Sequence, residues 1–456
     1  MDGQARSRLI PDFTPGNTVI TAAAGTAAVL GVVAVYSPKY AAAALLAAAF
    51  VAVAAWRLPL ALAAFVLLTF PEHLPGSLGA GETLAKPMGA LILVAWLGNA
   101  LTRNRTLPLL PRTQPLLFWA IVGLILFSGV STLWATDAGE TRSALGRLLL
   151  VAGLAVVTYT AASSRAGFRT IVHGYLLGSV VTSLYSVGSG TYLAKGRLAG
   201  LFDPNYFAAE LIPAILISCF LFVSADSRRK RWLSAAVAAI DLVAFALTQS
   251  RGGIVGLTVA LLVAVVVAGR ARPRVVALFL VLVAVGLGYY VTYKPAHVFQ
   301  SGVGGLSATS SGRTDEWKVA LRIAGGHPIG GVGLGNYRVV EPSVATQTLN
   351  LDVVRFIVRF RQLAHNTYLQ VAAELGLVGL LLFLTILALP LRAAGRALAG
   401  LEQELDELEF HARGLLAGAI GLLTAYVFLS ANLEKPLWFV VGLLASVPSL
   451  LLEDTT

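Results

Sequence analysis

Long apolar segments recur along almost the whole chain, and they constrain its fold more than any other feature. A spanning helix needs about 20 apolar residues, and backbone groups in lipid must be satisfied within the segment. The mean hydropathy is +0.78, and only 12% of the residues are charged. The sequence therefore predicts an all-α polytopic membrane protein with about 12 to 14 transmembrane helices. The candidate segments are 18–36, 40–56, 58–70, 86–102, 115–134, 142–162, 170–188, 206–224, 233–249, 252–269, 275–293, 370–391, 413–430 and 436–452.

The chain is basic, with a formal net charge of +11 at pH 7. Its basic residues are divided among many short loops rather than gathered on one domain, which argues against a nucleic-acid partner. In a bacterial inner membrane, short basic loops face the cytoplasm. If the N-terminus is cytoplasmic, every strongly basic short loop falls on that side, so we expect both termini in the cytoplasm. The acidic segment 135–141 and a long polar insert then face the periplasm.

The insert divides the chain into three predicted parts. These are N-terminal transmembrane helices at 1–293, a large periplasmic loop or cap at 294–365, and C-terminal transmembrane helices at 366–456. Helix-spaced apolar residues at 315–324 and 351–361 predict that the insert folds as a small helical cap.

Two amphipathic segments have less specific interpretations. The arginines of 351–361 alternate with aromatic and aliphatic residues, which suits either an interfacial helix on anionic head groups or packing within the cap. The connector 396–413 mixes acidic residues with leucines. It is predicted to be a solvated link or an amphipathic surface helix on the cytoplasmic side.

Metal and thiol chemistry have little support in the sequence. The single cysteine, Cys219, excludes an intramolecular disulfide and a cysteine-based zinc cluster. The 6 histidines are scattered along the chain, without a short His/Asp/Glu cluster of metal-ligand spacing. We therefore expect no metal and no other cofactor.

Arg251 lies in a sharp turn between two apolar segments, Gln249-Ser250-Arg251-Gly252-Gly253. Glycines permit close backbone approach, and an arginine fixed between two helix ends can present a bidentate fork to a phosphate. An arginine that merely extends toward the membrane interface is the structural alternative.

Two more arginines are candidate phosphate ligands on the same predicted side. Arg197 precedes a span, and Arg313 lies at the edge of the cap. Asp203 either contributes to the site or caps the following helix, whereas Asn205 is predicted to be a cap. The glycine-rich stretch 328–335 lacks the Gly-Lys-Ser/Thr of a nucleotide-binding loop, so it is predicted to form a compact turn.

His365 is the candidate general base, because it stands where the polar insert meets the next apolar segment. A titratable imidazole at a membrane boundary has access to lipid-borne substrates and to water. A histidine with a purely structural role is the alternative. The remaining candidate substrate-binding residues are Arg142, Arg147, Arg338, Asn366, Tyr368 and Glu374.

The ordered set of these motifs resembles the O-antigen ligase and polymerase superfamily. It runs from Ser250-Arg251-Gly252-Gly253 through Ser311-Gly312-Arg313 and His327-Pro328 to His365-Asn366-Thr367-Tyr368-Leu369 with Glu374. The resemblance covers about residues 190–390. It implies a fold similar to multi-span, lipid-carrier-dependent glycosyltransferases, with His365, Arg251 and Arg313 as catalytic residues.

Most specifically, the sequence resembles an O-antigen ligase of lipopolysaccharide biosynthesis. That resemblance implies an enzyme facing the periplasm, with an undecaprenyl-pyrophosphate-linked glycan as donor, lipid A–core oligosaccharide as acceptor, and membrane lipids around it. An O-antigen polymerase and a protein O-oligosaccharyltransferase share the chemistry and remain alternatives. A polysaccharide flippase, in which midmembrane charges line a path, is the alternative of a different class.

Overall fold

The computed structural model describes residues 38–69, 85–102, 110–189, 192–193, 197–198, 203–293, 313–348, 363–401 and 407–452. Apart from one short hairpin, the regular structure in these ranges is helical, which confirms the predicted all-α membrane fold. Within them, 8 helices are long and apolar enough to cross a membrane, and shorter apolar helices accompany them. The predicted number of spans stays a prediction.

A short β-hairpin separates two series of helices along the chain. The first half holds α1 (Pro38–Trp56), α2 (Leu58–Thr69), α3 (Ala85–Thr102), α4 (Leu110–Thr113), α5 (Pro115–Val130), α6 (Ala138–Ala161), α7 (Arg165–Ser189), β1 (Tyr192–Leu193) and β2 (Arg197–Leu198). The second half holds α8 (Pro204–Ser224), α9 (Arg228–Thr248), α10 (Arg251–Val267), α11 (Arg272–Tyr293), α12 (Arg313–Gly326), α13 (Tyr337–Thr348), α14 (Thr367–Ala399), α15 (Glu407–Ala425) and α16 (Lys435–Leu452). Strands β1 and β2 pair antiparallel.

Helix α8 forms the packed centre of the bundle, with α9, α10 and α15 around it. Small residues bring these helices together. A Cβ added to Gly418 of α15 would lie 2.5 Å from the Cα of Pro213 in α8, and one added to Gly421 would lie 2.5 Å from the Cβ of Ala260 in α10. In lipid, where apolar side chains gain nothing by leaving their surroundings, such close backbone approach drives helix association.

The described part of the cap is helical, and the predicted helix at 315–324 is confirmed as α12. Val319 and Ile323 of α12 share a buried apolar cluster with Tyr337 of α13 and Ala373 of α14. The cap is therefore anchored on the first turns of α14. The second predicted cap helix, 351–361, lies outside the described residues, and the three-part domain division remains a proposal.

The connector 396–413 differs from the prediction of a solvated link. Its first residues complete α14, which ends at Ala399, and from Glu407 onward it forms the first turns of α15. Glu409 and Arg413 are both buried there and form an ion pair at 2.6 Å. Acidic residues among leucines fit either a surface helix or a buried one, because the pattern does not reveal that an arginine one turn later neutralises the glutamate.

Candidate active site

Arg251 is fixed at the first position of α10 by the tight turn that joins it to α9. Gln249 adopts a left-handed conformation with φ of 52°, and the Ser250 hydroxyl caps α10 by accepting the Gly253 N–H at 3.1 Å. A Cβ on Gly252 would lie 2.9 Å from the Cβ of Phe428, so only glycine permits this approach. The predicted sharp turn between two helices is confirmed, and the half-buried Arg251 has little freedom of position.

Arg197 is held against the same turn from the β-hairpin side. Its Nε donates to the Thr248 carbonyl and its Nη2 to Asn205 Oδ1, both at 2.9 Å. Asn205 Oδ1 also accepts the Ser250 hydroxyl at 2.9 Å. Asp203, rather than Asn205, caps α8, since its carboxylate accepts the Asn205 N–H at 2.8 Å. The predicted capping role of Asn205 was wrong, because its amide oxygen instead accepts hydrogen bonds from Arg197 and Ser250.

Arg197, Arg251 and Arg313, which we call the arginine cluster, lie close enough to influence one another. Burial lowers the pKa of Arg197, and Arg313 and Arg251 lower it further, while Asp203 raises it. Burial likewise lowers the pKa of Arg313; Glu316 and Asp203 oppose this change, and Arg251 adds to it. Three mutually repelling guanidinium groups in one half-buried region favour an anionic ligand.

The carboxylates beside the cluster supply less negative charge than their number suggests. Burial raises the pKa of Glu316 to about 8, although Arg313 lowers it. The pKa of Glu341, also buried, is raised to about 8. At neutral pH both are therefore largely protonated and uncharged. Asp203 remains as the acidic neighbour of Arg197 and Arg313, so the region keeps a net positive charge.

His365 lies beside the arginine cluster, immediately before α14. Its backbone has φ of 44°, which is uncommon outside glycine, and its carbonyl accepts the Trp317 indole N–H at 3.4 Å. Burial lowers the imidazole pKa to about 4; Arg313 and Arg338 also lower it, and Asp203 raises it. The ring is thus neutral at pH 7, and among the described residues its buried Nδ1 has no hydrogen-bond partner.

Two residues that follow His365 have structural partners. The Asn366 side chain caps α14 by accepting the N–H groups of Tyr368 and Leu369, both at 3.0 Å. The Tyr368 hydroxyl donates to the Leu423 carbonyl at 2.8 Å. These contacts explain the polar residues at the start of α14, and the substrate-binding roles of Asn366 and Tyr368 stay predictions.

A break in α14 at Gly376 is a feature that sequence reasoning missed. Gly376 has φ of 62° and ψ of −162°, and the predicted compact turn, residues 328–335, which we call the glycine turn, fits into the break. Val332 and Gly333 donate their N–H groups to carbonyls of α14, while Leu377 and Val378 donate to carbonyls of the turn. The backbone groups that the break frees are therefore satisfied by partners in the turn.

Glu374 lies on this break rather than on the arginine cluster. Its carboxylate accepts the Gly335 N–H at 2.9 Å and the Gln370 amide at 3.1 Å. Arg147 interacts electrostatically with Glu374, and both Arg142 and Arg147 are exposed on α6. The structure thus brings Arg197, Asp203, Arg251, Arg313, Arg338 and His365 together, and it places Glu374 and Arg147 at a separate point.

These contacts do not test the expectation that the protein needs no metal ion. In the part of the chain that the structure describes, no group of three or more His, Cys, Asp or Glu side chains could hold a metal ion. Positive charge beside His365 comes from arginine side chains. Metal-independent chemistry stays a prediction.

Comparison with known proteins identifies the segment that carries most of this site. Residues 235–384 match the family model described as O-antigen ligase. This segment of the chain is similar to the O-antigen ligase superfamily. The matched segment contains Arg251, Arg313 and His365, whereas Arg197 and Asp203 precede it. The family works in polysaccharide biosynthesis as ligases and polymerases, and its reaction is a glycosyl transfer.

A curated relative supports the same superfamily. The exopolysaccharide production protein ExoQ of Rhizobium meliloti (strain 1021) is 26% identical over 238 residues. The alignment covers 48% of this chain and 53% of the relative, so the match spans about half the length of each protein. The resemblance inferred from the motifs is thus confirmed at the level of the superfamily.

Proposed function

We propose that this protein is an O-antigen ligase at the periplasmic face of the bacterial inner membrane. It transfers O-antigen glycan from undecaprenyl pyrophosphate to the lipid A–core oligosaccharide, within lipopolysaccharide biosynthesis. The observation that carries the proposal is the juxtaposition of three arginines with a buried, neutral histidine. The distribution of basic loops supports a cytoplasmic position for both termini.

The arginine cluster stabilises the leaving group in this reaction. When the anomeric carbon–oxygen bond breaks, negative charge develops on the pyrophosphate. Fixed guanidinium groups in a partly desolvated region bind that charge strongly, because they need no reorganisation during the step. Arg251 is set by its turn and Arg197 by two hydrogen bonds, so both are preorganised for this role.

His365 accepts the proton from the attacking acceptor hydroxyl. The new bond joins that hydroxyl oxygen to the anomeric carbon as the bond to the pyrophosphate oxygen breaks, and the single displacement inverts the anomeric configuration. A neutral imidazole has a free lone pair, but a pKa of about 4 makes it a weak base. Bound pyrophosphate offsets the positive field of Arg313 and Arg338, which raises the histidine pKa when the donor is in place.

A polymerase is the second candidate, favoured by the relative named for exopolysaccharide production. The donor and the chemistry would be the same, and the acceptor would be a second carrier-linked repeat unit. Protein glycosylation on a Ser or Thr hydroxyl would differ in the acceptor alone.

An acceptor panel tests the proposal. Purified protein in detergent is given a labelled undecaprenyl-pyrophosphate glycan with lipid A–core, a second carrier-linked repeat, or a Ser/Thr peptide as the sole acceptor. We expect product with lipid A–core. Product with the carrier-linked repeat alone identifies a polymerase, product with the peptide alone identifies a protein glycosyltransferase, and no product with any acceptor contradicts the proposed enzyme.

A further inference from the structure

Asp241 is a buried carboxylate inside α9, a helix that is long and apolar enough to cross a membrane. It lies seven residues before Thr248, the last residue of α9, or about 10 Å from that end at 1.5 Å per residue. Ionisable side chains at such a depth are rare, and those that occur commonly mark ion or proton sites. The proposed glycan-transfer mechanism gives Asp241 no role.

Two serines of α7 bind this carboxylate. Ser179 and Ser183 donate their hydroxyl protons to Oδ2 and Oδ1 of Asp241, at 2.7 and 2.9 Å. A carboxylate has about four lone-pair sites, so each oxygen can still bind a further group. The Ser179 hydroxyl has a second acceptor, the Leu176 carbonyl at 2.9 Å. It can therefore donate to that carbonyl and offer a lone pair to a ligand.

No positive side chain pairs with Asp241 within the described part of the chain, where Ser179 and Ser183 are its hydrogen-bond partners. Tyr175, one turn before Ser179, interacts electrostatically with Asp241 and with Glu210 of α8. Both of these neighbours are acids rather than cations. An isolated buried charge is too costly to keep, so a proton or a bound cation must neutralise the carboxylate.

Hydroxyl oxygens on the same face of α7 favour a cation over a proton. Positions 179, 182, 183 and 186 follow the i, i+3, i+4, i+7 spacing of one helix face. Thr182 and Ser186 are buried, and their hydroxyl oxygens have no hydrogen-bond partner among the described residues. A proton on Asp241 would leave both oxygens unpaired, whereas a hard cation takes oxygen ligands directly or through water.

The single carboxylate sets the charge of that cation. One negative charge is balanced by one positive charge, and a divalent ion would leave a net positive charge buried in the bundle. Calcium sites commonly combine several carboxylates. No group of three or more His, Cys, Asp or Glu side chains in the described ranges could form such a site. Hydroxyl and carboxylate oxygens around one negative charge suit an alkali cation.

We propose that Asp241, Ser179 and Ser183 bind one Na⁺ ion between α7 and α9, with Thr182 and Ser186 completing the oxygen-lined site. The ion neutralises the carboxylate and joins the two helices inside the bundle. It takes no part in glycan transfer, so the prediction of metal-independent transfer is unaffected. The site does not depend on the identity of the donor or the acceptor.

Binding of radiolabelled Na⁺ to the purified full-length protein tests the proposal. The measurement is made in detergent at mildly alkaline pH, with choline chloride to keep the ionic strength constant. We expect saturable binding to the parent, weakened by about tenfold or more in Asp241→Asn, because the amide keeps the size of the side chain and loses its charge. Asp226→Asn is the matched control, since Asp226 is exposed and pairs with Lys230. It should bind Na⁺ like the parent. No saturable binding to the parent, or equal binding to Asp241→Asn, overturns the proposal.

Thermal unfolding separates a bound cation from a bound proton. Na⁺ should raise the unfolding temperature of the parent and of Asp226→Asn above its value in choline at equal ionic strength, because a ligand that binds only the folded state stabilises it. Asp241→Asn should unfold at the same temperature in both salts. If a lower pH stabilises the parent and Na⁺ does not, the neutralising species is a proton and the proposal is wrong.

Ser183→Ala provides a second variant that retains the carboxylate. Loss of one hydroxyl ligand should raise the Na⁺ concentration needed for half-maximal stabilisation by about tenfold. An unchanged Na⁺ dependence in Ser183→Ala would contradict the assigned ligand set, even if Asp241→Asn did not fold.

Discussion

Replacing Gly376 by alanine should detach the glycine turn from α14. The residue has φ of 62° and ψ of −162°, a region that is essentially restricted to glycine, where other residues incur about 1–3 kcal/mol of strain. An added Cβ would also collide with the Ile329 carbonyl and the Gly330 nitrogen. The backbone cannot relax locally without moving the turn that fills the break.

The cost follows from the hydrogen bonds that join the turn to the break. Val332 and Gly333 donate to carbonyls of α14 at 3.0 and 2.8 Å, and Leu377 and Val378 donate to carbonyls of the turn at 2.8 and 3.4 Å. At about 1 kcal/mol each, loss of all four adds about 4 kcal/mol to the strain. We expect Gly376→Ala to lower the free energy of unfolding by about 2 kcal/mol if the turn shifts slightly, and by about 5–7 kcal/mol if it opens.

Hydrogen–deuterium exchange and detergent unfolding of purified protein measure this effect. The four amides should be protected in the parent and exchange quickly in Gly376→Ala. Gly325→Ala in α12 is the matched control, since its Cβ meets nothing within 4 Å and alanine favours a helix. Glycan transfer should fall with Gly376→Ala, because the turn continues into the cap cluster that supports α12 and Arg313. Unchanged protection and stability in Gly376→Ala, with Gly325→Ala also unchanged, would refute the reasoning.

The remaining predictions concern the chemistry of the site. His365→Ala should reduce turnover by about 10²–10⁴-fold while the protein stays folded and inserted, and near-parental turnover of the purified variant would remove the general-base role. Arg251→Lys and Arg313→Lys should each retain only part of the parent's activity, because an ammonium group cannot reproduce bidentate contact with pyrophosphate. If both variants transfer glycan as fast as the parent, the two arginines act only through a diffuse positive field. Transfer should continue in excess chelator, and activity lost there and restored by one added metal ion would contradict metal independence. On the acidic side, kcat/KM should fall near pH 4, because His365 of the free enzyme becomes protonated there. The corresponding fall in kcat should occur at a higher pH, because bound pyrophosphate raises the pKa of His365. Falls of kcat and kcat/KM at the same pH would contradict this coupling.

Local sequence patterns revealed the helical membrane fold and the tight turn that holds Arg251. Apolar runs report spans directly, since the requirement for internal hydrogen bonding leaves few other structures in lipid. The Ser-Arg-Gly-Gly pattern indicates a helix cap followed by glycines that allow close packing. Ser250 caps α10, and Gly252 lies against Phe428. These are properties of a few neighbouring residues, so a single sequence contains them.

Features that depend on distant partners were not accessible in the same way. The break at Gly376 is stable only because the glycine turn, about 45 residues earlier, supplies its hydrogen bonds. The glycines of that turn were visible, but their partner was not. Asn205 was mistaken for a cap because its role depends on Arg197 and Ser250. Glu316, only three residues after Arg313 on a helix, could have been recognised as its neighbour from spacing alone.

Equilibrium binding of glycan-free undecaprenyl pyrophosphate tests the central claim most directly, namely that the arginine cluster is the donor pyrophosphate site. Arg322 of α12 is exposed and provides a control on the same helix as Arg313. Arg251→Ala and Arg313→Ala should each weaken binding by about tenfold to hundredfold, the loss expected for a hydrogen bond to a charged group. Arg322→Ala should bind like the parent. Equal affinity in all three variants and the parent would contradict the assignment of the cluster.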